Sequence, residues 1–281
     1  MSMQSLRRRL ALFSALLAAA LVPSLAATSR AQAAPLPVDL ELILAVDVSG
    51  SVDAIEARLQ REGYISAMTS ETVMKAIKSG PFRRIALAYV EWASEQYQQT
   101  VMPWTLIESL EDSQNFMSKV ADSPYVAIRW TSISAAIDYS VKLFAESPFE
   151  GTRRVLDISG DGKNNHGRDV ALARAEAIAA GITINGLPIL NSRSGAYDLG
   201  GPRGWPSDPD LDSYFQTRVI GGPGAFMIAA ESFDTFSEAV KSKLMREIAG
   251  IPPHIQIEGD TQFAYGPLDA KRQDAAARIG D

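Results

Sequence analysis

The chain has 281 residues and a formal net charge of −6, since 33 Asp and Glu residues outnumber 27 Lys and Arg residues. This balance argues against a protein that binds nucleic acid or an anionic membrane surface. The sequence contains no Cys and only two His, so disulfides and zinc sites built from His and Cys are excluded. The chain is nevertheless long enough to bury a stable hydrophobic core.

Residues 1–33 have the three parts of a secretory signal peptide. Three arginines at positions 7–9 precede an apolar run over residues 10–27, and alanines at 31 and 33 mark a cleavage site after Ala33. The alternatives are a retained membrane anchor, for which the run is short and contains Pro23, and twin-arginine export. We predict a periplasmic or secreted protein with no stable membrane insertion after cleavage. Because four arginines leave with the peptide, the net charge of the processed chain is about −10.

The first strand of the processed chain ends on a group of oxygen-bearing side chains. Apolar residues fill positions 42–46, which is typical of a strand buried on both faces of a parallel sheet. Asp47, Ser49 and Ser51 follow at alternating positions, so a turn there can aim all three at one point. One carboxylate and two hydroxyls suit a hard divalent cation such as Mg²⁺. The alternative is that Asp47 and Ser49 only cap the next helix.

Further along the chain, helical and strand patterns alternate, which predicts one α/β domain over residues 34–249. The expected helices cover residues 52–78, 108–120, 132–144, 169–180 and 233–248. The expected strands cover residues 84–92, 100–106, 154–159, 183–190 and 225–229. Pro103 marks the strand at 100–106 as an edge strand. The alternation predicts a doubly wound, mostly parallel central sheet flanked by helices.

Two later segments supply further oxygen ligands for such a cation. Thr131 stands just before a helical run, and Asp161 directly follows the buried strand at 154–159. In an open α/β sheet, ligands gather where loops leave the carboxyl ends of the strands. Asp47 and Asp161 can therefore face one another if their strands are neighbours.

Taken together, these residues resemble the metal-ion-dependent adhesion site of von Willebrand factor A domains. The matching positions are, in chain order, Asp47, Ser49, Ser51, Thr131 and Asp161. The resemblance extends over about residues 38–249. Within the family, the chain is most similar to a bacterial branch of exported proteins. The chain departs from the family pattern at Trp130, where Gly often precedes the threonine. It departs again at Ser159-Gly160, where a single Thr usually precedes the aspartate.

The resemblance implies binding rather than catalysis. The five matching residues would hold Mg²⁺, or Mn²⁺ in its place, with Asp47 and Asp161 acting directly or through water. Because such a site leaves the charge of the metal incompletely neutralised, an open position would accept an acidic side chain from a protein partner. We therefore predict an exported, metal-dependent protein-binding module.

Two functions from other classes stay open at this point. A metal-dependent hydrolase needs a base beside an activated water, and Asp161 would have to leave its ligand role to serve as that base. A structural protein of the cell envelope would use the metal only for stability. The sequence lacks the G-x-S-x-G elbow, the P-loop and the G-x-G-x-x-G fingerprint, so we expect that the chain is not an enzyme.

Four further segments carry weaker expectations. The Gly- and Pro-rich stretch at 191–224 is either a surface excursion with a short helix near residues 211–216 or a cap that contacts the partner. Residues 250–281 are expected to form a loosely held extension. Asp157, in the middle of a strand, is expected to pair with a nearby Arg or to face a polar edge. Asn164-Asn165-His166 either form a turn or shape the approach of the partner.

Overall fold

The structure is a computed structural model that describes residues 34–190, 208–232 and 235–250. The predicted signal peptide, residues 191–207 of the predicted loop and residues 251–281 of the predicted extension lie outside this part of the chain. Within the described residues, no helix is both long enough and apolar enough to cross a membrane.

Strands at the centre of the domain set the position of every candidate ligand. The strands are β1 (Leu36–Val38), β2 (Glu41–Asp47), β3 (Ile85–Trp92), β4 (Gln98–Ile107), β5 (Phe149–Gly151), β6 (Arg154–Gly160) and β7 (Ile182–Pro188). The main sheet has the order β4-β3-β2-β6-β7, in which β4 is antiparallel and the other four strands are parallel. The predicted edge strand with Pro103 is confirmed as β4. The small parallel pair of β1 and β5 was not predicted, because three-residue strands show no readable alternation.

Helices cover both faces of this sheet. The α-helices are α1 (Ala54–Met68), α2 (Glu71–Ser79), α3 (Leu110–Ala121), α4 (Ile133–Ala145), α5 (Val170–Ala179), α6 (Leu211–Tyr214) and α7 (Phe236–Ala249), and a π-helical turn (Phe215–Val219) follows α6. One hydrophobic core contains side chains of α1, α2, α3 and α7, and the other contains side chains of α4, α5 and α6. The predicted doubly wound, mostly parallel α/β fold is confirmed.

Strand β2 lies in the middle of the sheet and is buried along its whole length. Leu42, Leu44 and Val46 enter the core beneath α1 and α7, whereas Ile43 and Ala45 enter the core beneath α4 and α5. The apolar run in the sequence therefore reports a strand that is covered on both faces. Its carboxyl end opens between these two helical layers, which places the residues that follow it at the centre of one edge of the sheet.

The single helix predicted over residues 52–78 is wrong, because the chain forms two helices there. Thr69 ends α1, and its hydroxyl donates a hydrogen bond of 2.7 Å to the carbonyl of Ile65. Ser70 is the N-cap of α2, and its Oγ accepts a hydrogen bond of 3.3 Å from the backbone N–H of Val73. Side-chain oxygens at two successive positions thus compete with the helical backbone bonds and break the helix.

The strand predicted over residues 225–229 is also wrong, because this segment does not form a regular strand. This segment runs beside β7 but forms only isolated bridges, such as that of Met227 with Gly186. The side-chain oxygen of Asn185 accepts a hydrogen bond of 3.0 Å from the backbone N–H of Phe226. The Phe226 N–H, which a regular β-ladder would use for a backbone hydrogen bond, is therefore bonded to a side chain instead. The short helix predicted near residues 211–216 is confirmed by α6 and the π-helical turn.

Candidate metal centre

The candidate site lies at the carboxyl ends of two adjacent central strands. Asp47 is the last residue of β2, and Asp161 directly follows β6. These strands are hydrogen-bonded neighbours, with Val46 opposite Ser159 in the parallel register. The condition for Asp47 and Asp161 to face one another is therefore met.

A chain of hydrogen bonds connects four of the five predicted residues. The backbone N–H of Ser49 donates to Oδ1 of Asp47 at 2.7 Å. The hydroxyls of Ser49 and Ser51 share a hydrogen bond of 3.1 Å. The Ser51 hydroxyl in turn donates to Oδ1 of Asp161 at 2.6 Å, which joins residues 110 positions apart in the sequence. The turn after β2 therefore aims its side chains at the segment after β6, as the alternating spacing predicted.

Thr131, the fifth predicted residue, reaches the same place through backbone contacts. Asn165 accepts a hydrogen bond of 2.9 Å from the Thr131 N–H, and its own N–H donates to the Thr131 carbonyl at 2.9 Å. A methyl group built on Gly162 would lie 3.6 Å from Oγ1 of Thr131, so this hydroxyl faces the segment that follows Asp161. No described hydrogen bond joins the Thr131 hydroxyl directly to the other four side chains.

Gly160 explains one departure of the sequence from the family pattern. A Cβ atom at this position would lie 2.9 Å from Oδ2 of Asp47 and 3.4 Å from the ring of Trp92. A glycine inside a strand often marks such a close approach of another group to the backbone. Sequence reasoning noted Gly160 as a departure but missed its role, which is to make room for the buried carboxylate.

The two carboxylates lie in a poorly solvated and negatively charged environment. Asp47 is fully buried, and its Oδ2 atom has no hydrogen-bond partner in the structure. Burial raises the pKa of Asp47 well above its usual range, and the neighbouring Asp161 raises this pKa further. Burial also raises the pKa of Asp161. Among the described residues, no Lys or Arg compensates either carboxylate, so a bound cation would relieve both the charge and the orphaned oxygen.

The donor set fits a hard divalent cation. It consists of two carboxylates and three hydroxyls, and it contains no nitrogen or sulfur ligand. The described part of the chain holds no cluster of three or more His, Cys, Asp or Glu residues, which sets this site apart from a carboxylate-rich cage. Mg²⁺ typically takes one or two protein carboxylates and keeps several waters. Oδ2 of Asp47, which has no hydrogen-bond partner among the described residues, is available as one such ligand atom.

Trp130 accounts for the other departure from the family pattern. Its φ of 75° lies in the left-handed region that favours glycine, which costs a bulky residue about 1–2 kcal/mol. Its ring stacks on His166 with centroids 5.9 Å apart, and the Arg129 guanidinium lies 5.6 Å from the ring centroid. The chain therefore holds a bulky residue in a conformation that favours glycine and places an aromatic ring beside Thr131.

Two asparagines of the segment after Asp161 hold the Thr131 loop, a role that the sequence did not reveal. Besides the bonds of Asn165, Oδ1 of Asn164 accepts a hydrogen bond of 2.9 Å from the Ser134 N–H at the start of α4. His166 accepts a bond of 3.1 Å from the Glu95 N–H through Nδ1. The sequence indicated a turn at these positions, but bonds across 30 or more residues leave no local signal.

Asp157 belongs to a separate, closed cluster below the site. Its Oδ1 lies 2.6 Å from Nζ of Lys243, which also contacts Glu247 at 2.5 Å. Asn185 donates a hydrogen bond of 2.8 Å to Glu247. Asp157 does form a structural ion pair, but the expected arginine is wrong, because the partner is a lysine of α7.

Comparisons with known proteins support the fold and give the chain a family. A family model described as "Protein of unknown function (DUF1194)" matches residues 37–252. A comparison with curated proteins gives no match. Among solved structures, proximal thread matrix protein 1 from the mussel byssus is 15% identical with a TM-score of 0.53, and the match covers 76% of this chain and 48% of that chain. This chain thus spans about half the length of the mussel structure.

Three further structural matches have related descriptions. The mussel protein was also solved with a zinc-occupied MIDAS motif, at 15% identity and a TM-score of 0.51, covering 75% of this chain and 46% of that chain. An aerotolerance-related membrane protein from Bacteroides fragilis is 19% identical, with a TM-score of 0.51 and coverage of 75% and 100%. The pilus adhesin SpaC from Lactobacillus rhamnosus GG is 13% identical, with a TM-score of 0.53 and coverage of 76% and 30%. At these identities the matches establish a shared von Willebrand factor A-like fold.

Proposed function

We propose that this chain, which belongs to the family described as "Protein of unknown function (DUF1194)", is a protein-binding module whose contact with its partner requires a divalent cation. The observation that carries the proposal is the pair of Asp47, which is buried, and Asp161, which is half-buried. Two serine hydroxyls join them, and no Lys or Arg of the described residues compensates their charge. A buried carboxylate with an unpartnered oxygen is costly unless a cation or a hydrogen-bond donor meets it.

Five residues would hold the cation, with Mg²⁺ as the default and Mn²⁺ as a substitute. Those residues are Asp47, Ser49, Ser51, Thr131 and Asp161. When bound, the cation supplies positive charge at the edge of the sheet that can attract an acidic side chain of a protein partner. Only two of the five ligands are anionic, so the cation keeps an affinity for a third carboxylate.

The structural matches support binding rather than catalysis for this fold. Their descriptions name a thread matrix protein, a membrane protein and a pilus adhesin, and one of them holds zinc in its MIDAS motif. These descriptions agree with our expectation that the chain is not an enzyme. They also favour a role at the cell envelope, in line with the proposed export of the chain to the periplasm or the medium.

Affinity capture tests the proposed function directly. Residues 34–281 would be immobilised and exposed to an envelope extract of the source organism in Mg²⁺ and in chelator, with Thr131→Ala and Thr131→Ser as paired variants. We expect a protein that is retained by the wild type and by Thr131→Ser in Mg²⁺ only. Mixing the purified partner with the chain would then show whether the contact is direct.

Retention that is the same in every condition would contradict the proposal. If chelator lowers the thermal stability and no protein is captured, the metal is purely structural. The proposed export has its own test, which is N-terminal sequencing of the protein from periplasmic and medium fractions. We expect Ala34 as the first residue, and an intact N-terminus would overturn the cleavage prediction.

A further inference from the structure

Exposed apolar side chains lie on the segments that border the candidate metal centre. The exposed fraction is 53% for Trp130, 61% for Ile55 and 38% for Val126. Ile55 lies in the first turn of α1, which begins three residues after Ser51. Trp130 and Val126 belong to the loop over residues 122–132 that leads into α4. Exposed apolar side chains that are scattered singly are ordinary, so the informative feature is the fixed position of these groups beside the candidate site rather than their exposure alone.

The loop is fixed against the turn that carries the predicted ligands. Ile128 pairs with Ser49 in a parallel bridge. The Tyr125 hydroxyl donates a hydrogen bond of 2.7 Å to the carbonyl of Val52. These contacts hold both ends of the apolar loop segment beside the site, so its side chains do not depend on a partner for their position.

Trp130 is the best placed of these side chains. It directly precedes Thr131, whose backbone is fixed by two hydrogen bonds with Asn165. His166 lies against one part of its ring, and the exposed Arg129 contributes a cation beside it. Trp130 belongs to neither of the two hydrophobic cores. A large, preorganised and exposed ring beside an arginine is the composition that interface centres favour.

We infer that Trp130 is the specificity-determining residue of this surface, and that it selects partner segments in which an apolar or aromatic residue neighbours the acidic one. This inference rests on the proposed function, because the acidic residue would meet the cation. The neighbouring apolar side chain would then pack on the Trp130 ring, and Arg129 would add favourable charge for an acidic segment.

Synthetic peptides provide the test. Two series of fluorescent nine-residue peptides would each carry one central Glu, flanked in one series by Leu or Phe and in the other by Ser. Binding to residues 34–281 would be measured by anisotropy in Mg²⁺ and in chelator, at protein concentrations up to 1 mM. We expect the wild type to bind the apolar series about tenfold more tightly in Mg²⁺, as removal of a central aromatic anchor typically costs that much or more.

Three variants separate the ring from the backbone and from surface hydrophobicity in general. Trp130→Gly suits the positive φ of this position, so the fold is retained while the ring is lost. It should bind both series equally and still require Mg²⁺. Trp130→Phe should keep the preference for the apolar series. Phe82→Ala removes an aromatic ring that is 40% exposed at the opposite edge of the sheet, and it should behave as the wild type.

The outcomes distinguish this inference from the function on which it rests. Mg²⁺-dependent binding without preference for the apolar series, or an unchanged preference in Trp130→Gly, would overturn the role of Trp130 and leave the metal-dependent function standing. Mg²⁺-independent binding, or no binding of either series, would contradict both.

Discussion

Two pairs of carboxylates lie near β6, one at Asp157 within the strand and one at its carboxyl end, and they differ in whether a cation of the described residues contacts them. In the lower pair, Asp157 and Glu247 are both contacted by the ammonium group of Lys243, which is itself fully buried. In the upper pair, Asp47 and Asp161 have no such cation among the described residues, and serine hydroxyls connect them instead. The lower cluster thus contains its own cation, and the upper one does not.

On the proposed function, this difference separates a structural cluster from a binding site. Charges buried inside a protein need a counterion, and an internal lysine fixes that counterion permanently. The lower cluster is enclosed between β6 and α7, so it has no exchangeable component. The upper pair lies at the end of the sheet, where Asp161 is only half-buried, beside the loops that follow β2 and β6. On the proposed function, similar carboxylate chemistry therefore supports the fold in one place and ligand binding in the other.

The largest expected effect follows from removal of the internal cation. Lys243→Met would leave Asp157 and Glu247 buried without compensation, so we expect a loss of about 3–5 kcal/mol in the free energy of unfolding. Urea denaturation followed by circular dichroism measures this loss. Lys241→Met, on the exposed side of the same helix, is the matched control and should change stability by less than about 0.5 kcal/mol. Equal stability of both variants would show that the buried cluster has no structural importance.

The lower cluster also predicts how stability depends on pH. Burial, and then the charge of Glu247, raise the pKa of Asp157 to about 7, although Lys243 opposes this change. In the folded chain Asp157 therefore keeps a proton that it loses in the unfolded chain at a pH of about 3.9. This contribution to stability is complete below pH of about 4 and is lost as the pH rises through about 7, with a slope of up to about 1.4 kcal/mol per pH unit.

Denaturation of Asp157→Asn between pH 4.5 and 7.5, in chelator, measures this dependence. The variant leaves one lysine with one carboxylate, so its stability should fall less with rising pH than that of the wild type. Parallel curves for the two proteins would place the titrating group elsewhere.

A methyl group at Gly160 tests the upper pair. Because its Cβ would lie 2.9 Å from Oδ2 of Asp47, Gly160→Ala should displace the carboxylate or the strand. We expect a loss of about 1–3 kcal/mol in stability and at least a tenfold weaker affinity for Mg²⁺. Ser79→Ala, on α2, is the control for a small substitution far from the site. A second glycine such as Gly181 is unsuitable, because its positive φ would itself make alanine unfavourable. Unchanged Mg²⁺ affinity in Gly160→Ala would exclude Oδ2 of Asp47 from the binding site.

The smallest expected effect concerns the loop that carries Thr131. Asn165→Ala removes the acceptor for the Thr131 N–H, which should cost about 1 kcal/mol in stability and weaken Mg²⁺ binding several-fold. Asn165→Asp retains an acceptor oxygen and should restore most of the stability. If the two variants are equally destabilised, the hydrogen bond does not hold the loop.

Local patterns in the sequence predicted most of the fold and the composition of the upper pair. The apolar run before Asp47 and the Gly after Asp161 are local signals, and the parallel order of the strands follows from alternating helices and strands. The sequence did not reveal that Thr69 and Ser70 would break a helix, because both residues occur inside helices as well. That break depends on which backbone groups the side chains reach once the helices pack.

Contacts between distant segments could not be predicted. Lys243 meets Asp157 only because α7 packs on the face of β6 that Asp157 points to, and no periodicity encodes that choice of partner. Asn165 holds Thr131 from 34 residues away, which requires that the two loops leave adjacent strands and helices. The sequence therefore indicated which residues carry the candidate ligand oxygens, and tertiary packing decides which residues hold those side chains in place.

The most direct test of this account is calorimetric titration of Mg²⁺ into chelator-treated residues 34–281 at pH 7. The wild type and Asp157→Asn, which alters the closed lower cluster, should each bind one Mg²⁺ per chain. Asp47→Asn, which alters the open upper pair by the same chemical change, should bind none. Equal binding by Asp47→Asn and the wild type, or no binding by the wild type, would contradict the claim that the upper pair takes its cation from solution.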